Sequence, residues 1–586
     1  MMNKKTMMLM MVAFSSVAVP VTAQEQSVRL VVSSYQSASQ SVYSGAEDKS
    51  CVMSPGVETK WCVPGRVAKR NGTAMQKSVA ARVLRTEVVE LDSYGYDAEV
   101  VAQTLRDTGQ FDEVVIDVPI KQTYSFTTSG DTVAQQDKYF GSNEDYASGS
   151  GVYNAAQTIG EVSGEALDVL VMDSSFYDTD DVVYYPDSGR SFVTGDDAVP
   201  DDNYSPRSTD GCDGHGLSVA GIIGGTIGND EGGDGVSNSV NIHPIRVLTC
   251  GTGYMSDLSR ALSWANGDSE NLFTGDTSNA TPYQGNVGII NISIAGYTGS
   301  AESTDDDTAG CPVYMQEAID NLKASGWSIV VSAGNDYGDD VSNYSPANCD
   351  GVLSVVAVDS SGDKAEFSNQ GDVSLAAYGT NLVTSCDEDS SEACLFSGTS
   401  ASAPLVTGIM AMVEQHTGVS GETLDYLVKA TAFDANFGVE CNTYGCGNGI
   451  VDAEALLDAA VKFAAGELNT ISFALNEGDE CEQQWYLDYF GDAVRLCEMY
   501  SVKFLGGFAQ DDAVYRLFSV PQDEDLSDSS YQTLVGEFEG GHVMLQDLDI
   551  EGLNYGMQIC IDDDCSEVFE MNTANASLEN KPVDCQ

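Results

Sequence analysis

The sequence predicts an α/β protein built on a largely parallel sheet with helices on both faces, preceded by a small α+β segment and followed by a β-sandwich-like region. Three observations carry this. Between residues 135 and 465, apolar strand-like runs (166 to 173, 241 to 248, 287 to 294, 328 to 333 and 352 to 358) alternate with helix-periodic runs (216 to 224, 255 to 266, 313 to 325 and 401 to 416). Such alternation is the mark of strands covered on both faces by crossover helices. Before residue 130, two strand-like runs flank one helix-like run, and after Gly466 the period shortens to two in YSVKFLGGF, AVYRLFSV, HVMLQDL and YGMQICI. A chain of 586 residues also exceeds what one core usually organises.

Taken in order, residues 1–23 carry lysines at 4 and 5, an apolar stretch from Met7 to Val21 and Val21-Thr22-Ala23 before Gln24. This is the pattern of a secretory signal, so a secreted, extracellular protein is expected. No other run approaches the 18 or so apolar residues that span a bilayer. In residues 24–130, Ala81 to Leu91, Ala98 to Thr108 and Phe111 to Pro119 read as a βαβ module. The Gly-, Ser-, Thr- and Asp-rich stretch from Thr127 to Asp137 suits an exposed cleavage region. The main domain, 135–465, follows, with Asp145 to Gly160 beginning the mature fold and helices over 421 to 432 and 451 to 464 closing it. Residues 470–586 form the β-rich region.

The chemistry centres on Phe396 to Pro404, FSGTSASAP, followed by a helix-periodic apolar run. Ser400 stands where that helix begins, and a helix N-terminus offers free N–H groups and partial positive charge to a developing oxyanion. A capped core helix would explain the stretch alone, so partners decide. The chain has four histidines. His215 lies between glycines at the start of a small-residue helix in DGCDGHGLSVAGIIGG, whereas His243 in a strand run and His416 at a helix end read as structural, and His542 has no catalytic neighbours in sequence. The apolar strand LDVLVMDSSF brings Asp173 to its end, and SIVVSAGNDYG places Asn335 after another strand. Asp, His, Ser in that order is one known solution of the triad geometry.

The blocks VLVMDSS, GHGLSVAG and SGTSASAP, with SAGN and IINISIAG, resemble those of secreted subtilisin-like serine proteases, the subtilases. The resemblance covers roughly residues 135 to 465 and implies a subtilisin-like fold. It implies Asp173, His215 and Ser400 as the catalytic triad, Asn335 as an oxyanion donor, and Ser293, Ile294, Ala295, Gly296, Ser332, Ala333 and Gly334 as substrate-binding positions. Residues 24–130 then resemble a propeptide that templates folding and lies through the active site as a transient inhibitor. Structural calcium is implied as well, with Asn229, Asp230 and Asp234 as candidates in the oxygen-rich loop 226 to 239. The chain departs from the family pattern at Ser175, where Gly is usual, at Leu217-Ser218, where Thr-His is usual, and at Ala295, where Gly is frequent. Small apolar pocket residues hint at cleavage after uncharged residues.

Charge narrows the partners. With 26 Lys+Arg against 90 Asp+Glu, the formal net charge is −64 and the pI about 4.1. That surface repels nucleic acid and anionic membranes, leaving protein or peptide substrates as the expected partners. Fifteen cysteines without paired Cys-x-x-Cys spacing read as disulfides in an exported chain. Spacing suggests Cys51–Cys62, Cys441–Cys446, Cys481–Cys497 and Cys560–Cys565, with Cys250 and Cys311 able to pair across the sheet and Cys212 a candidate free thiol. Two other functions stay open on sequence: a proteolytically silent binding protein with this fold, and an exported adhesive or structural protein.

Overall fold

The computed structural model describes, with short interruptions, residues 27–37, 82–193, 214–267, 283–299, 310–386, 393–433, 441 and 445–465, together with the backbone of strands in 49–64 and 472–572. The signal-like segment, Cys212, Asp230, Cys481, Cys497 and His542 lie outside the described residues. By contacts the chain divides into two compact units, Met1–Asp117 with Leu272–Gly275, and the remainder.

In the first unit, the strands Arg82–Asp92 and Glu113–Ile116 and the helix Ala98–Arg106 fall where sequence periodicity puts them. The βαβ reading is incomplete. A further strand, Ser27–Ser37, lies between the other two and pairs antiparallel with both, Val31 opposite Val88 and Val115. The helix buries Val101, Ala102 and Leu105, one face at three- and four-residue spacing, against Leu30, Val32, Val89 and Val114. Asp97 caps it by accepting the Glu99 N–H.

The second unit is organised by a seven-stranded sheet in the order Leu375–Tyr378, Leu353–Val358, Ser328–Ser332, Ile289–Ile292, Leu167–Asp173, Val240–Arg246, Arg190–Ser191. Every neighbouring pair is parallel. The five expected strands are all present, and the two edge strands are additions. Helices His215–Gly224, Met255–Ala265, Val313–Ala324, Thr399–Thr417, Gly421–Ala430 and Ala453–Ala464 match the helix-periodic runs. Thr399–Thr417 is buried from Thr399 to Glu414, so it runs through the core. That position explains its lack of a polar stripe. Gly408 is required there, because a Cβ would stand 2.6 Å from Val236 Cβ.

The stretch expected to be an exposed cleavage region is regular. Ser125–Thr128 is a strand and Thr132–Phe140 a helix, held by Gln136 donating to the Asp234 carbonyl and Gln135 to the Tyr378 hydroxyl. After Ala464, eight of the strands between Ser472 and Asn572 pair in one sheet, and Trp485–Leu487 pairs with Ala493–Arg495 apart from it. Cys441–Cys446 is bonded as expected. Cys51 faces Cys62 and Cys560 faces Cys565 in backbone register. Cys311 bonds Cys349, not Cys250, and Cys250 is itself in a disulfide. Cys386–Cys394 is a further bridge.

One buried charge cluster makes stability pH-dependent. Burial, reinforced by the charge of Asp425, pushes the Glu414 carboxyl up to about 8. Asp425 is itself paired with Lys323. A raised carboxyl stabilises the fold while protonated, fully below its unfolded value near 4.5, and that contribution drains away as pH climbs through 8. Glu414→Gln is therefore expected to unfold at higher denaturant than the parent at pH 9, by on the order of 2–4 kcal/mol, and to lose that advantage at pH 5. Denaturant titrations at the two pH values check this; equal differences at both contradict it.

Candidate active site

Three elements deliver the triad positions to one end of the sheet. Asp173 is the last residue of its strand and His215 the first of its helix. Ser400 is the second residue of the Thr399–Thr417 helix, whose preceding Gly398 holds φ +151, a backbone that favours glycine. His215 Nδ1 and Asp173 Oδ1 are 2.6 Å apart, with both side chains fully buried. Asp173 Oδ1 also accepts the Ser174 N–H at 2.6 Å, and Val247 N–H donates to the Asp173 carbonyl. The carboxylate is thereby fixed in both position and rotamer. Phe396 packs edge-on against the imidazole at 5.3 Å.

Ser400 and Ser293 hold each other. Ser400 Oγ donates to the Ser293 carbonyl at 3.0 Å, and Ser293 Oγ donates to the Ser400 carbonyl at 3.3 Å. The second bond has a local cause. Pro404 lacks the N–H that would take the Ser400 carbonyl in an i to i−4 bond, so that carbonyl is open to the Ser293 hydroxyl. The helix start is therefore tied to the strand region expected to bind substrate.

Asn335 Oδ1 accepts from Thr399 N–H at 2.9 Å and Thr399 Oγ1 at 3.0 Å, which turns the amide's NH2 the other way. Behind it, Gly334 N–H donates to Thr399 Oγ1, and Asn369 Nδ2 donates to the Ala333 carbonyl. Ser332, Ala333 and Gly334 thus form a strapped, buried wall. Ala295 exchanges both backbone hydrogen bonds with Lys121, at 3.1 and 3.4 Å. Pro119–Lys121 also pairs antiparallel with Thr252–Tyr254, and Gln122 N–H donates to the Gly251 carbonyl. Segment 118 to 122 therefore lies as an extended strand between the two edges of a cleft. Ile120 is fully buried there, against Gly296 and Met255. Ser174 Oγ donates to Gln122 Oε1 at 2.7 Å, and Lys121 Nζ is 3.7 Å from Asp336.

The departures from the family pattern are accommodated. Leu217 is fully buried, while Ser218 Oγ donates to the Ser385 and Gly214 carbonyls. Ser175 is buried and its carbonyl accepts the Leu217 N–H. His243 is a buried strand residue 3.3 Å from Asp168, at the other end of the Asp173 strand, and His416 is exposed at a helix end.

The calcium candidates do not converge. Asn229 donates its amide to Asp181 Oδ1 and accepts the Glu231 N–H, whereas Asp234 accepts the Gly228 N–H. Ser385 fills the other Asp181 oxygen. Among the described residues, no three His, Cys, Asp or Glu side chains form a group that could hold a metal ion. In this arrangement Asn229 and Asp234 are each engaged by partners within the protein.

A family model described as the subtilase family, Peptidase S8, matches residues 152–450, half of the chain. The chain belongs to the subtilase family. It is accordingly a subtilisin-like serine peptidase. It is similar to an extracellular protease of Xanthomonas campestris pv. campestris, 29% identical over 426 residues that cover 68% of each chain. An extracellular basic protease of Dichelobacter nodosus is 35% identical over 261 residues, 42% of this chain and 39% of that one. Among solved structures, a protease from Pseudoalteromonas arctica matches with TM-score 0.44 and 26% identity, over 55% of this chain and 97% of that one. No helix among the described residues of this subtilase is long and apolar enough to cross a membrane.

Sequence reading missed the residues that position the site. Thr399, Phe396 and Asn369 act through backbone and ring contacts that residue type does not signal. Phe396 and Thr399 both stand in the stretch FSGTSASAP, whereas Asn369 lies in none of the motif blocks.

Proposed function

We propose that this subtilase is a secreted endopeptidase that works through Asp173, His215 and Ser400 and is made as a self-processed zymogen. Ser400 Oγ attacks the peptide carbonyl as its proton passes to His215, whose imidazolium Asp173 stabilises. Asn335 and the Ser400 backbone N–H take the oxyanion charge. His215 returns the proton to the leaving amine, and water then releases the acyl group by the same route in reverse. The observation that carries the reading is the 2.6 Å His215–Asp173 contact beside a serine at a helix mouth.

The zymogen reading is supported by segment 118 to 122, which makes the backbone contacts an extended substrate would make. We place the self-cleaved bond between Gln122 and Ser125, with residues upstream serving as the transient inhibitor and the signal at 1–23 directing export. The β-rich region after residue 470 is proposed to fold as a β-sandwich-like domain. Reaction with a fluorophosphonate, followed by peptide mass mapping, tests the peptidase reading: a label on Ser400 is expected, and absence of label on folded, processed protein contradicts it. A silent binding protein or an adhesive protein needs no activated serine.

Asn335→Ala keeps the nucleophile and deletes one oxyanion donor, so kcat falls by about 10²–10³ with little change in KM. Steady-state kinetics on a peptide substrate checks this, and a loss confined to KM opposes the assignment. Calcium enters the proposal only as a stabiliser of loop 226 to 239, in an arrangement where Asn229 releases Asp181. Thermal inactivation should then slow with calcium relative to chelator at matched ionic strength; equal half-lives remove it.

A further inference from the structure

His215 opens its helix behind Gly214, which has no side chain to cap it. Asp173 orients the ring through Nδ1 and the Leu217 N–H donates to the Ser175 carbonyl, so the helix start is anchored on the side of Asp173. Ser400 belongs to a different helix. One turn after His215, Ser218 supplies an anchor toward it. Its Oγ donates to the Ser385 carbonyl at 2.8 Å and to the Gly214 carbonyl at 3.1 Å, and its own carbonyl accepts from Thr384 Oγ1 at 2.8 Å. Ser218, Thr384 and Ser385 are fully buried, where a hydroxyl or carbonyl is costly to leave unpaired.

The approach that makes these bonds is close along the whole helix face. Gly214 and Gly221 stand four residues before Ser218 and three after it, and a Cβ on the first would overlap the Cys386 carbonyl oxygen, on the second the Thr384 hydroxyl. Residues 384 to 386 in turn belong to the structure that delivers the nucleophile. Leu382–Thr384 pairs antiparallel with Cys394–Ser397, and Cys386 is bonded to Cys394. Cys394–Ser397 carries Phe396 to the His215 ring and leads through Gly398 into the Ser400 helix. The Ser218–Thr384–Ser385 exchange is thus a polar link between the helix of the base and the strand pair that sets the serine.

Resting on the peptidase reading, we propose that Ser218 and Thr384 are positioning residues for the reaction: their exchanged hydrogen bonds clamp the start of the His215 helix to the strand pair leading into Ser400, and so set the reach of the imidazole to the serine hydroxyl. Ser218 is one of the chain's departures from the family pattern, standing where His is usual. Both hydroxyls are spent on main-chain carbonyls, so they act through His215 and not on the substrate. A misplacement of about 1 Å between reacting groups costs on the order of 10² in rate. The cleft edges that hold segment 118 to 122, at Ala295 and at Thr252–Tyr254, lie on other elements. Loosening the clamp therefore acts on the chemical step and spares substrate binding.

The test uses the full chain and its processed form, as the parent, Ser218→Ala, Thr384→Val and Thr384→Ser. Ser218→Ala deletes both Oγ bonds, and Thr384→Val deletes the bond to the Ser218 carbonyl with little change of shape. Each is expected to lower kcat on a peptide substrate by about 10- to 100-fold, with KM within about twofold of the parent. Self-processing should slow by a similar factor, because segment 118 to 122 already lies in the cleft and binding no longer enters. Thr384→Ser keeps the donor and should restore kcat to within about threefold of the parent. Assays well below each melting temperature separate these losses from lost fold. Parental kcat in both Ser218→Ala and Thr384→Val overturns the proposal, as does a loss carried by KM. A Thr384→Ser enzyme as slow as Thr384→Val overturns it too, since packing and not the hydroxyl would then be responsible. In each of these cases a fluorophosphonate label on Ser400 leaves the peptidase reading standing, whereas a parent that takes no label and cleaves nothing overturns both.

Discussion

Ser400→Ala is expected to lower kcat/KM on any peptide by about 10⁶, toward a background supplied by binding and the oxyanion donors alone. The size follows from the role: no other group in the site can form the acyl-enzyme. The variant should fold. It keeps a helix-compatible small side chain at a buried position and forfeits one neutral hydrogen bond, from Ser400 Oγ to the Ser293 carbonyl, which costs about 0.5–1.5 kcal/mol. The reciprocal bond from Ser293 to the Ser400 main chain persists. Kinetics and a thermal melt together separate lost chemistry from lost fold. Residual activity within tenfold of the parent would remove Ser400 from the mechanism.

Asp173→Asn should lower kcat by about 10⁴ with KM nearly constant. The substituted amide is the same size and can still accept the Ser174 N–H that now reaches Oδ1. What it lacks is the negative charge 2.6 Å from His215 Nδ1. The imidazolium that forms as Ser400 is deprotonated then loses its counterion in a fully buried site, where such a charge is costly to leave unpaired. A loss of kcat below tenfold, or one carried by KM, contradicts this placing of Asp173.

The parts of this protein legible in the sequence are those whose cause is local. Apolar runs bounded by small residues gave the five central strands, and three- to four-residue periodicity gave the helices, because buried strands and helix faces advertise their period directly. The positions proposed for the triad share a local signature: Asp173 ends a strand, and His215 and Ser400 open helices, among glycines and serines that such junctions require. What escaped depends on distance. Ser27–Ser37 is the central strand of its sheet only because residues 82 to 92 and 113 to 116 arrive on either side. Cys311 was matched to Cys250 from strand adjacency, yet it bonds Cys349 across 38 residues, and nothing in local sequence distinguishes the two partners. The edge strands Leu375–Tyr378 and Arg190–Ser191 are four and two residues long, too short to display a period. Loop 226 to 239 is legible in composition alone, which suits calcium; that Asn229 bonds Asp181 and Asp234 bonds the Gly228 N–H is a matter of the folded loop.

The proposed self-processing would involve the triad residues, the cleft and the upstream segment in one event. Lys121 pairs with Ala295, and Ser125–Thr128 pairs with the strand that precedes Ser400. The decisive measurement is the intact mass and N-terminal sequence of purified protein made without other proteases, for the parent and for Ser400→Ala. The parent should begin between residues 123 and 125, and Ser400→Ala should retain everything after the signal. A Ser400→Ala chain cut at the same place and rate as the parent would contradict the account.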